Sequence, residues 1–577
     1  MPRQQYFYFL LFAVIIFFIK ATGAIGVMNP YGMPPSFIGY APRSIVVKFD
    51  QAALGRINRP LKPSGRTGIP AVDQLAEELG VTSINRQFPG AKRRFLQGRA
   101  IDLSGWHKID FQADVDIDNV VTAFKKLGDV VDAQPIGIHA VHQVPNDTSY
   151  SVQWHLNQID APEAWGFDTG NAAITVAVLD TGVRWFHQDL GGGAAVYFDP
   201  PGFYRDISDI HGADGNMWIN WAEVNGVSGV DDDGNQFTDD MIGWDFVDIS
   251  PVDALFWCNG YEDCLAVDND PRDFHGHGTH VAGIVGALNN NGYAVSSPAG
   301  GWGDGTLQSI GDGVKIMALR VGWADQTSPP YGPLGYINMY FAAQALWYAA
   351  DNGARIVNAS WGSSNSGGLG DAVDYFLGRG GIIFHAAGNS GSSTADYLGS
   401  RDDVVNIAAT DQNDCKAVFS SFGDWVDVSA PGVAITSTWH GYTNPASDYV
   451  ASLSGTSMAS PLTAGVAALI WSRNPLWTAE QVKMKLLDST DDIDNLSCNS
   501  PDYTGRLGSG RVNLYLAVGS CEGDLDGNGV VDGRDLVDLI DAIGCTSGCP
   551  FDLTYDGNVG SGDVDVFAKD FARTDCP

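Results

Sequence analysis

The chain has 577 residues, of which 44% are hydrophobic, and this length is too great for one compact domain. A formal net charge of −35 would repel nucleic acid and anionic membrane surfaces, so we expect neither as a partner. The charge is uneven, because residues 1–143 hold 16 basic and 11 acidic side chains whereas residues 144–577 hold 17 and 57. A basic front segment therefore precedes an acidic body, and the two could attract each other.

The N-terminus has the three parts of a secretory signal peptide. Arg3 precedes the apolar run FYFLLFAVIIFFI, and small residues follow near Gly23 and Ala24. A permanent membrane anchor is the alternative, but an anchor needs about 20 apolar residues and this run is shorter. We therefore predict a signal peptide over residues 1–24 and a secreted protein, extracellular or associated with the cell surface.

Export to an oxidising compartment would let the eight cysteines form disulfides. Cys258 and Cys264 are close enough in sequence to close one loop, and Cys545 with Cys549 is a second local candidate. The pairing of the other four cannot be read from the sequence. They are Cys415, Cys498, Cys521 and Cys576.

Residues 25–143 have the pattern of a small α+β module. A β-branched run, SIVVKF, occupies residues 44–49, and a basic patch occupies residues 92–94. The stretch DFQADVDIDNVVTAFKKLGDVVDAQP then predicts a strand, a helix with apolar Val120, Val121 and Phe124, and a second strand.

From residue 174 onward, short apolar runs alternate with helical patterns. Continuous apolar strands separated by helices indicate a parallel α/β sheet that is covered by helices on both faces. We expect a helix over residues 335–352, and catalytic groups at the carboxyl ends of the strands. The five predicted strands are AITVAVLD, VKIMALRV, ARIVNAS, GIIFHAA and VVNIAAT.

Three motifs place reactive side chains at strand ends or helix starts. Asp180 ends the first apolar run, where a carboxylate is unusual unless it is hydrogen-bonded, because burial of an unpaired charge is unfavourable. His277 lies in HGHGTHVAGIVGAL. Ser457 lies in GTSMASPLTAGVAALIWSR, so its hydroxyl would be at a helix N-terminus, where unpaired N–H groups favour developing negative charge.

Each motif also has a plainer interpretation. Asp-Thr-Gly is a common turn, and a serine before a helix can be an ordinary N-cap. His275, His277 and His280 together suggest a zinc site, but the zinc helix pattern needs His at i and i+4 with Glu between them, and neither condition holds. A nucleophilic serine needs a base and an orienting acid, and both are present.

These motifs, together with Asn389 in IIFHAAGNSG, resemble those of the subtilisin-like serine proteases, which share the chain order Asp, His, Ser. The resemblance covers about residues 144–517 and implies the family's α/β fold. It implies that Asp180 orients His277, which takes the proton of Ser457. Asn389 would donate to the tetrahedral oxygen together with the Ser457 backbone N–H.

The same resemblance gives the front module a role. Residues 25–143 look like the family's inhibitory, chaperoning propeptide, and the polar, turn-rich segment that follows resembles the start of the mature enzyme. We expect the chain to cut itself between about His142 and Tyr150. The freed basic segment would remain bound as an inhibitor.

NASWG at residues 358–362 resembles the family's substrate-binding strand, which offers backbone to an extended peptide. Small residues would line the pocket for the side chain before the scissile bond, which predicts a roomy, apolar pocket and broad specificity. They are Ser360, Gly362, Ala387 and Gly388. His385 and the insert at residues 256–273 could both alter this pocket, and the sequence does not place them.

An acidic loop at residues 229–246 has oxygen-bearing side chains at short spacing, with Gly234 for a turn. This pattern fits a hard cation such as Ca2+, and similar loops occur in subtilisin-like enzymes. The alternative is a solvated acidic loop. The candidate ligands are Asp231, Asp233, Asn235 and Asp239.

Residues 521–577 carry 13 acidic and 3 basic side chains and repeat a calcium-loop and helix pattern. The first loop offers Asp524, Asp526, Asn528, Asp532 and Asp535, and the second offers Asp552, Thr554, Asp556 and Asp563. Aspartate at position 12 of both loops resembles a type I dockerin, whose relatives dock onto cohesin modules. A calcium-stiffened terminal cap is the alternative.

The sequence thus predicts a secreted, calcium-dependent serine endopeptidase that acts on proteins or peptides and is made as a self-cleaved precursor. A catalytically inactive binding or scaffold protein with the same fold is the first alternative. An esterase that uses the same triad is the second. The four matching residues argue against the first alternative, and the peptide-binding strand and propeptide argue against the second.

Overall fold

The computed structural model describes most of the chain, with gaps, and divides it into two compact units, residues 1–140 and 141–577. No helix among the described residues is long and apolar enough to cross a bilayer. The predicted signal peptide lies outside those residues. They are 37–57, 67–91, 94–96, 99–113, 115, 117–139, 144–191, 215–258, 262–307, 312–325, 335–440, 448–519, 523–525, 531, 533–546, 549, 551–555 and 557–571.

The first unit combines an antiparallel sheet with three helices. In chain order the elements are β1 (Phe37–Phe49), α1 (Gln51–Ile57), α2 (Pro70–Glu78), β2 (Val81–Arg86), β3 (Arg94–Leu96), β4 (Arg99–Ile101), β5 (Trp106–Phe111), α3 (Ile117–Lys125) and β6 (Val130–His139). Four of the strands form one sheet in the order β2-β5-β1-β6, and β3 pairs with β4.

The core of this unit lies between the four-stranded sheet and the helices. Alternate residues of β1 are buried, as the period of a strand with one covered face requires: Ile45, Val47 and Phe49. Phe124 of α3 is fully buried in the same cluster. The strand predicted at residues 44–49 lies inside β1, and the predicted strand-helix-strand series corresponds to β5, α3 and β6.

The second unit alternates strands and helices. It begins with a 3-10 turn (Tyr150–Val152), followed by α4 (Trp154–Gln158), α5 (Ala161–Ala164), β7 (Thr175–Asp180), α6 (Gln188–Gly191), α7 (Trp221–Val224), β8 (Gly243–Asp245), α8 (Pro251–Trp257), α9 (His277–Gly286), β9 (Lys315–Arg320), β10 (Gly322–Ala324), β11 (Gly335–Ile337), α10 (Met339–Asp351), β12 (Ile356–Ala359), α11 (Leu369–Gly378) and β13 (Ile382–Ala386).

It continues with a 3-10 turn (Leu398–Ser400), β14 (Val405–Thr410), β15 (Val428–Pro431), β16 (Ile435–His440), β17 (Asp448–Leu453), α12 (Thr456–Arg473), α13 (Ala479–Asp488), β18 (Thr490–Asp491), β19 (Arg511–Val512), α14 (Leu514–Gly519), α15 (Gly533–Ala542) and α16 (Ser561–Asp570).

A nine-stranded sheet organises this unit in the order β18-β19-β15-β14-β13-β12-β7-β9-β8. Every neighbouring pair is parallel except β18 with β19. The five apolar runs predicted as strands are β7, β9, β12, β13 and β14, so the predicted parallel α/β sheet is confirmed.

Helices cover both faces of the sheet. Val176 and Val178 of β7 belong to a buried cluster that includes residues of α9 and α12. Their neighbours Ala177 and Leu179 belong to a second cluster, with residues of α10 and α11. Burial of both faces explains why these strands are continuously apolar instead of alternating.

The helix predicted over residues 335–352 begins later than expected. The first three residues of the predicted range form a strand instead. Gly335–Ile337 forms β11 and pairs with β10 in antiparallel fashion. Asn338 then caps α10, because its side chain accepts a hydrogen bond from the N–H of Tyr340 (2.9 Å). A side-chain cap of this kind sets the first helical residue, and the apolar spacing alone did not reveal it.

The insert at residues 256–273 is anchored at the end of the central sheet. Glu262 pairs with Arg320, the last residue of β9 (2.8 Å), and Arg320 also pairs with Asp245, the last residue of β8. All three side chains are buried. Removal of one of the three side chains would leave an unpaired buried charge. These ion pairs therefore fix the insert beside the carboxyl ends of the strands.

The described residues contain three disulfides. Cys258–Cys264 and Cys545–Cys549 are the two local pairs that the sequence suggested. Cys415–Cys498 joins positions 83 residues apart, which the spacing did not indicate.

The C-terminal helices α15 and α16 share a small apolar cluster that includes Leu539 and Phe567. This region contacts α13 and the segment before it. The side-chain amide of Gln481 donates to the Thr554 carbonyl, and the rings of Trp477 and Tyr555 lie edge to face, 5.9 Å apart. Because the small C-terminal core packs against the larger domain, we expect each to stabilise the other in part.

Deletion of residues 521–577 should leave the rest of the chain folded but less stable, by about 1–2 kcal/mol, because Trp477 becomes exposed and Gln481 loses its acceptor. Thermal unfolding of the truncated chain measures this loss. Tyr555→Ala in the full chain should give a smaller loss in the same direction. A truncated chain that does not fold would show that residues 521–577 are an integral part of the domain.

Candidate active site

The carboxyl end of β7 meets the start of α9 through one hydrogen bond. Asp180, the last residue of β7, is 1% exposed, and its Oδ1 lies 2.8 Å from Nδ1 of His277, the first residue of α9. The N–H of Thr181 donates to the same oxygen (2.8 Å). A carboxylate held in this way fixes the orientation of the imidazole and leaves Nε2 as the reactive nitrogen.

Close approach of these two elements requires glycine at one position. A Cβ on Gly278 would collide with the Gly182 carbonyl oxygen and would lie 3.0 Å from the Cβ of Asp180. The glycine after His277 therefore permits the contact between the histidine and the aspartate.

Asp273 stabilises the start of α9 by hydrogen bonds. Its buried carboxylate accepts from the backbone N–H groups of His275, Gly276 and Thr279 at 2.8–2.9 Å. These are donors that a helix start leaves unpaired. Sequence analysis missed Asp273, although an acidic residue just ahead of a helix is a recognised start signal.

The charge state of His277 is set by opposing effects. Burial disfavours the imidazolium, but the charge and hydrogen bond of Asp180 and the charge of Asp273 outweigh burial and raise the pKa of His277 above its ordinary value. A base must be neutral to accept a proton, so the raised pKa moves the active pH range upward.

Ser457 lies in the first turn of α12, and a proline four residues later determines what its carbonyl can bind. Pro461 has no N–H, so the carbonyl of Ser457 has no partner four residues on in the helix. The Ser360 hydroxyl donates to that carbonyl instead (3.0 Å). The Ser457 hydroxyl in turn donates to the Ser360 carbonyl (3.0 Å), so it must rotate to reach His277.

A buried polar network supports this contact. Asn358 of β12 donates to the Ser360 hydroxyl (2.8 Å) and accepts from the hydroxyl of Ser460 (2.8 Å). Asn358 and Ser460 are fully buried. Because the hydrogen bonds run from β12 to α12 and back, they hold Ser457 in register with the strand.

Asn389 follows β13 and is oriented by the residue before Ser457. Its Oδ1 accepts from both the N–H and the hydroxyl of Thr456 (2.9 and 3.0 Å). The oxygen of the amide is therefore occupied, which leaves its NH2 group as the available donor. Gly388, beside it, donates its N–H to the Thr456 hydroxyl (3.1 Å).

The residues expected to bind substrate follow two neighbouring strands of the sheet. Ser360 and Gly362 follow β12, and Gly362 is exposed. Ala387 and Gly388 follow the neighbouring strand β13, and the N–H of Ala387 donates to the Ile407 carbonyl (3.0 Å). Open α/β sheets bind ligands in a crevice outside the carboxyl ends of their strands, and the segments after β12 and β13 would form the two sides of such a crevice.

A model of the subtilase family matches residues 171–510, more than half of the chain. The chain belongs to the subtilase family. Thermitase of Thermoactinomyces vulgaris is 32% identical over 377 residues, which cover 65% of this chain and 99% of thermitase. A thermophilic serine proteinase of Bacillus sp. (strain AK1) is 28% identical over 513 residues, 87% of this chain and 95% of that protein. Subtilisin BL of Lederbergia lenta is 37% identical over 248 residues, 43% of this chain and 79% of the relative.

The family membership identifies the reaction. This subtilase is a serine-type endopeptidase, a hydrolase of peptide bonds, with the subtilisin-like α/β fold and a mostly parallel central sheet.

His280 of the subtilase has a structural role. It is fully buried, and its Nε2 lies 3.1 Å from the carbonyl oxygens of both Ile435 and Ala451. Burial lowers its pKa to about 3, so the ring is neutral. These contacts connect α9 to β16 and β17 and do not fit the zinc interpretation.

The acidic loop of the subtilase brings together carboxylates that could bind a metal ion. One carboxylate oxygen from each of Glu223, Asp231 and Asp233 lies within 4.8 Å of the other two. Glu223 is in the first turn of α7 and is 1% exposed. Sequence analysis missed Glu223 because it precedes the loop and belongs to another element. Of the other two candidates, Asn235 accepts from the N–H of Phe237 (2.7 Å), and Oδ1 of Asp239 is buried without a hydrogen-bond partner.

The C-terminal loops are described in part. In the first loop, Asp524 and Asp535 are among the described residues. Oδ1 of Asp535 accepts from the N–H of Leu525 (2.8 Å). In the second, Oδ1 of Asp563 accepts from the N–H of Thr554 (3.0 Å), and Asp552 accepts from the N–H of Gly557 (2.7 Å). The remaining candidate ligands lie outside the described residues. They are Asp526, Asn528, Asp532 and Asp556.

The raised pKa of His277 makes a prediction for activity against pH. The value of kcat/KM for an uncharged peptide should rise with pH as His277 loses its proton. The midpoint of this rising limb should lie above about 6.5, the ordinary pKa of histidine. Asp180→Asn removes the charge that raises the pKa, so the limb should move to lower pH while kcat falls by about 10,000-fold. The exposed Asp253→Asn is the control and should leave both unchanged. An unmoved limb in Asp180→Asn would contradict the assignment of the limb to His277.

Proposed function

We propose that this subtilase is a secreted enzyme whose triad is Asp180, His277 and Ser457. The 2.8 Å contact between Asp180 and His277 carries the proposal. It lies at the start of α9, which packs against α12, and Ser457 is in the first turn of α12. The occupied oxygen of Asn389 supports its assignment as the oxyanion donor.

The first half of the reaction forms an acyl-enzyme. The Ser457 hydroxyl rotates away from the Ser360 carbonyl and transfers its proton to His277 as its oxygen attacks the substrate carbonyl carbon. Asp180 stabilises the resulting imidazolium. The new oxyanion accepts hydrogen bonds from the side-chain amide of Asn389 and the N–H of Ser457.

The second half restores the enzyme. His277 gives its proton to the leaving amine, so the peptide bond breaks and the acyl group stays on Ser457. His277 then takes a proton from water, which attacks the ester, and the collapse of that intermediate returns the proton to Ser457. The buried network of Asn358 and Ser460 keeps the nucleophile positioned through both halves.

An inactive scaffold that retains the fold is the alternative. Such a protein has no requirement for a paired aspartate and histidine, an oriented amide and a serine at a helix start. The arrangement of all four groups supports catalysis.

Residues 25–143 are proposed as a propeptide that folds with the enzyme and inhibits it after cleavage. The first unit has its own core, which supports an independent module. Its net positive charge opposes the negative charge of residues 144–577. Opposite charges favour fast association and a complex that persists at low salt.

Self-cleavage requires the nucleophile. In a host that lacks other proteases, Ser457→Ala should remain one chain, whereas the wild type should give two fragments with a new N-terminus between His142 and Tyr150. Protein sequencing of the larger fragment measures the junction. Ser452→Ala, an exposed serine on β17, is the matched control and should be processed normally. Normal processing of Ser457→Ala would rule out self-cleavage and place the role of Ser457 in doubt.

Ca2+ is the proposed cofactor of the acidic loop and of the C-terminal pair. Carboxylate oxygens are the ligands that Ca2+ prefers. The buried Glu223, together with Asp231 and Asp233, fits such an ion, and the unpartnered oxygen of Asp239 adds a fourth candidate. A bound cation would offset repulsion among these carboxylates and stabilise the folded loop.

Removal of Ca2+ by a chelator should lower the melting temperature by several degrees, because an ion at 100 times its Kd stabilises by about 2.7 kcal/mol. Glu223→Gln should reduce the calcium-dependent part of the shift. The exposed Asp371→Asn on α11 should leave it unchanged. An identical melting temperature with and without chelator, with no calcium found by elemental analysis, would contradict the proposal.

Residues 521–577 are proposed as a dockerin-like module that binds a cohesin-type partner. The two position-12 aspartates, Asp535 and Asp563, each accept from an N–H near the start of their own loop, which supports an internal repeat. Because the second loop contacts Gln481 through Thr554, the module would present its first loop and its helices to a partner.

A further inference from the structure

A third segment lies beside the two segments that are expected to bind substrate. The chain leaves Asn389, folds back, and contacts Ser363 in the segment that follows β12. The N–H of Leu398 donates to the Ser363 hydroxyl (2.7 Å), and the N–H of Ser363 donates to Oδ2 of Asp396 (2.6 Å). Residues 396–399 therefore connect the two sides of the crevice.

Asp396 brings a carboxylate to the substrate-binding side. Its Oδ2 lies 3.6 Å from the position that a Cβ on Gly362 would occupy. Because Gly362 has no side chain, nothing on that residue screens the carboxylate from the crevice. The Asp396 side chain is 30% exposed. The small residues alone had predicted an apolar pocket, and Asp396 makes one end of it acidic.

Hydrogen bonds hold this carboxylate in place. Oδ2 accepts from Ser363 and lies 3.3 Å from Nε2 of the fully buried His385, while Oδ1 accepts from the N–H of Gly399 (2.9 Å). The other ring nitrogen of His385 lies 3.0 Å from Oδ1 of Asn406. A carboxylate can accept about four hydrogen bonds, so these three contacts, two at Oδ2 and one at Oδ1, leave one acceptor position, at Oδ1, for a ligand.

The same contacts keep Asp396 ionised. Burial would raise its pKa, but the hydrogen bond and charge of His385 and the two backbone N–H groups outweigh burial and hold the pKa below its ordinary value. His385 thus positions and ionises Asp396 from inside the protein, where substrate cannot reach the ring.

We propose that Asp396 makes this enzyme select lysine or arginine at the position before the scissile bond. The proposal rests on the proposed function, since it needs the crevice beside Ser457 to receive that side chain. An ammonium or guanidinium group would fill the remaining acceptor position of a preoriented carboxylate. A neutral side chain would cover that acceptor position without filling it, so we expect the enzyme to discriminate against it.

Two fluorogenic peptides that differ only in arginine or citrulline before the scissile bond test the proposal, because citrulline has nearly the shape of arginine without its charge. We expect the wild type to show a kcat/KM about 10- to 100-fold higher for the arginine peptide. Asp396→Asn should bring this ratio close to one and leave the citrulline peptide within a few-fold of the wild-type value.

Asp351→Asn is the matched control, since it removes one charge at the end of α10, on the opposite edge of the sheet, and should preserve the ratio. This control separates a local effect from attraction by the acidic protein as a whole. A wild-type ratio near one would overturn the proposal while leaving catalysis intact. An equal loss for both peptides in Asp396→Asn would also overturn it, because Asp396 would then be structural.

The proposal remains testable if Asp396→Asn does not fold, because the wild-type ratio alone can contradict it. Failure of the wild type to cleave either peptide, or any other peptide, would be a different result. It would reject the proposed function itself, and the specificity with it.

Discussion

The site depends on three adjacent parallel strands that end at the same edge of one sheet. Along that edge, β13 precedes Asn389, β12 precedes Ser360, and β7 ends in Asp180. The proposed oxyanion donor, substrate-binding backbone and orienting acid therefore lie side by side because of sheet order alone. Only Ser457 and His277 come from helices, and α9 and α12 pack against each other on one face of this sheet.

A missing helical hydrogen bond sets the position of Ser457, the proposed nucleophile. Pro461 leaves the Ser457 carbonyl without a helical partner, and this allows Ser360 to bind it from the neighbouring strand. A residue with an N–H at position 461 would compete for that carbonyl and weaken the connection between α12 and β12. The hydrogen bond that proline removes from the helix thus allows a link between the proposed nucleophile and the segment proposed to bind substrate.

Sequence patterns predicted the parts of this protein that local chemistry determines. Strand runs are visible because both faces of the sheet are buried, and Asp180, His277, Asn389 and Ser457 each occupy a short motif. Glu223 and Asp396 escaped prediction because their roles arise from contacts between distant segments. The residues around Asp396 form an ordinary polar loop, and nothing in them shows that the chain folds back onto Ser363.

The Cys415–Cys498 disulfide has a consequence for a protein that shares its solution with active copies of itself. The crosslink spans β15, β16, β17, α12, α13 and β18, and therefore the proposed nucleophile. A single nick at any point between the two cysteines would give two polypeptides that remain one molecule. The severed pieces would stay at high effective concentration and could keep their packed arrangement, so the linkage provides tolerance to autolysis as well as conformational stability.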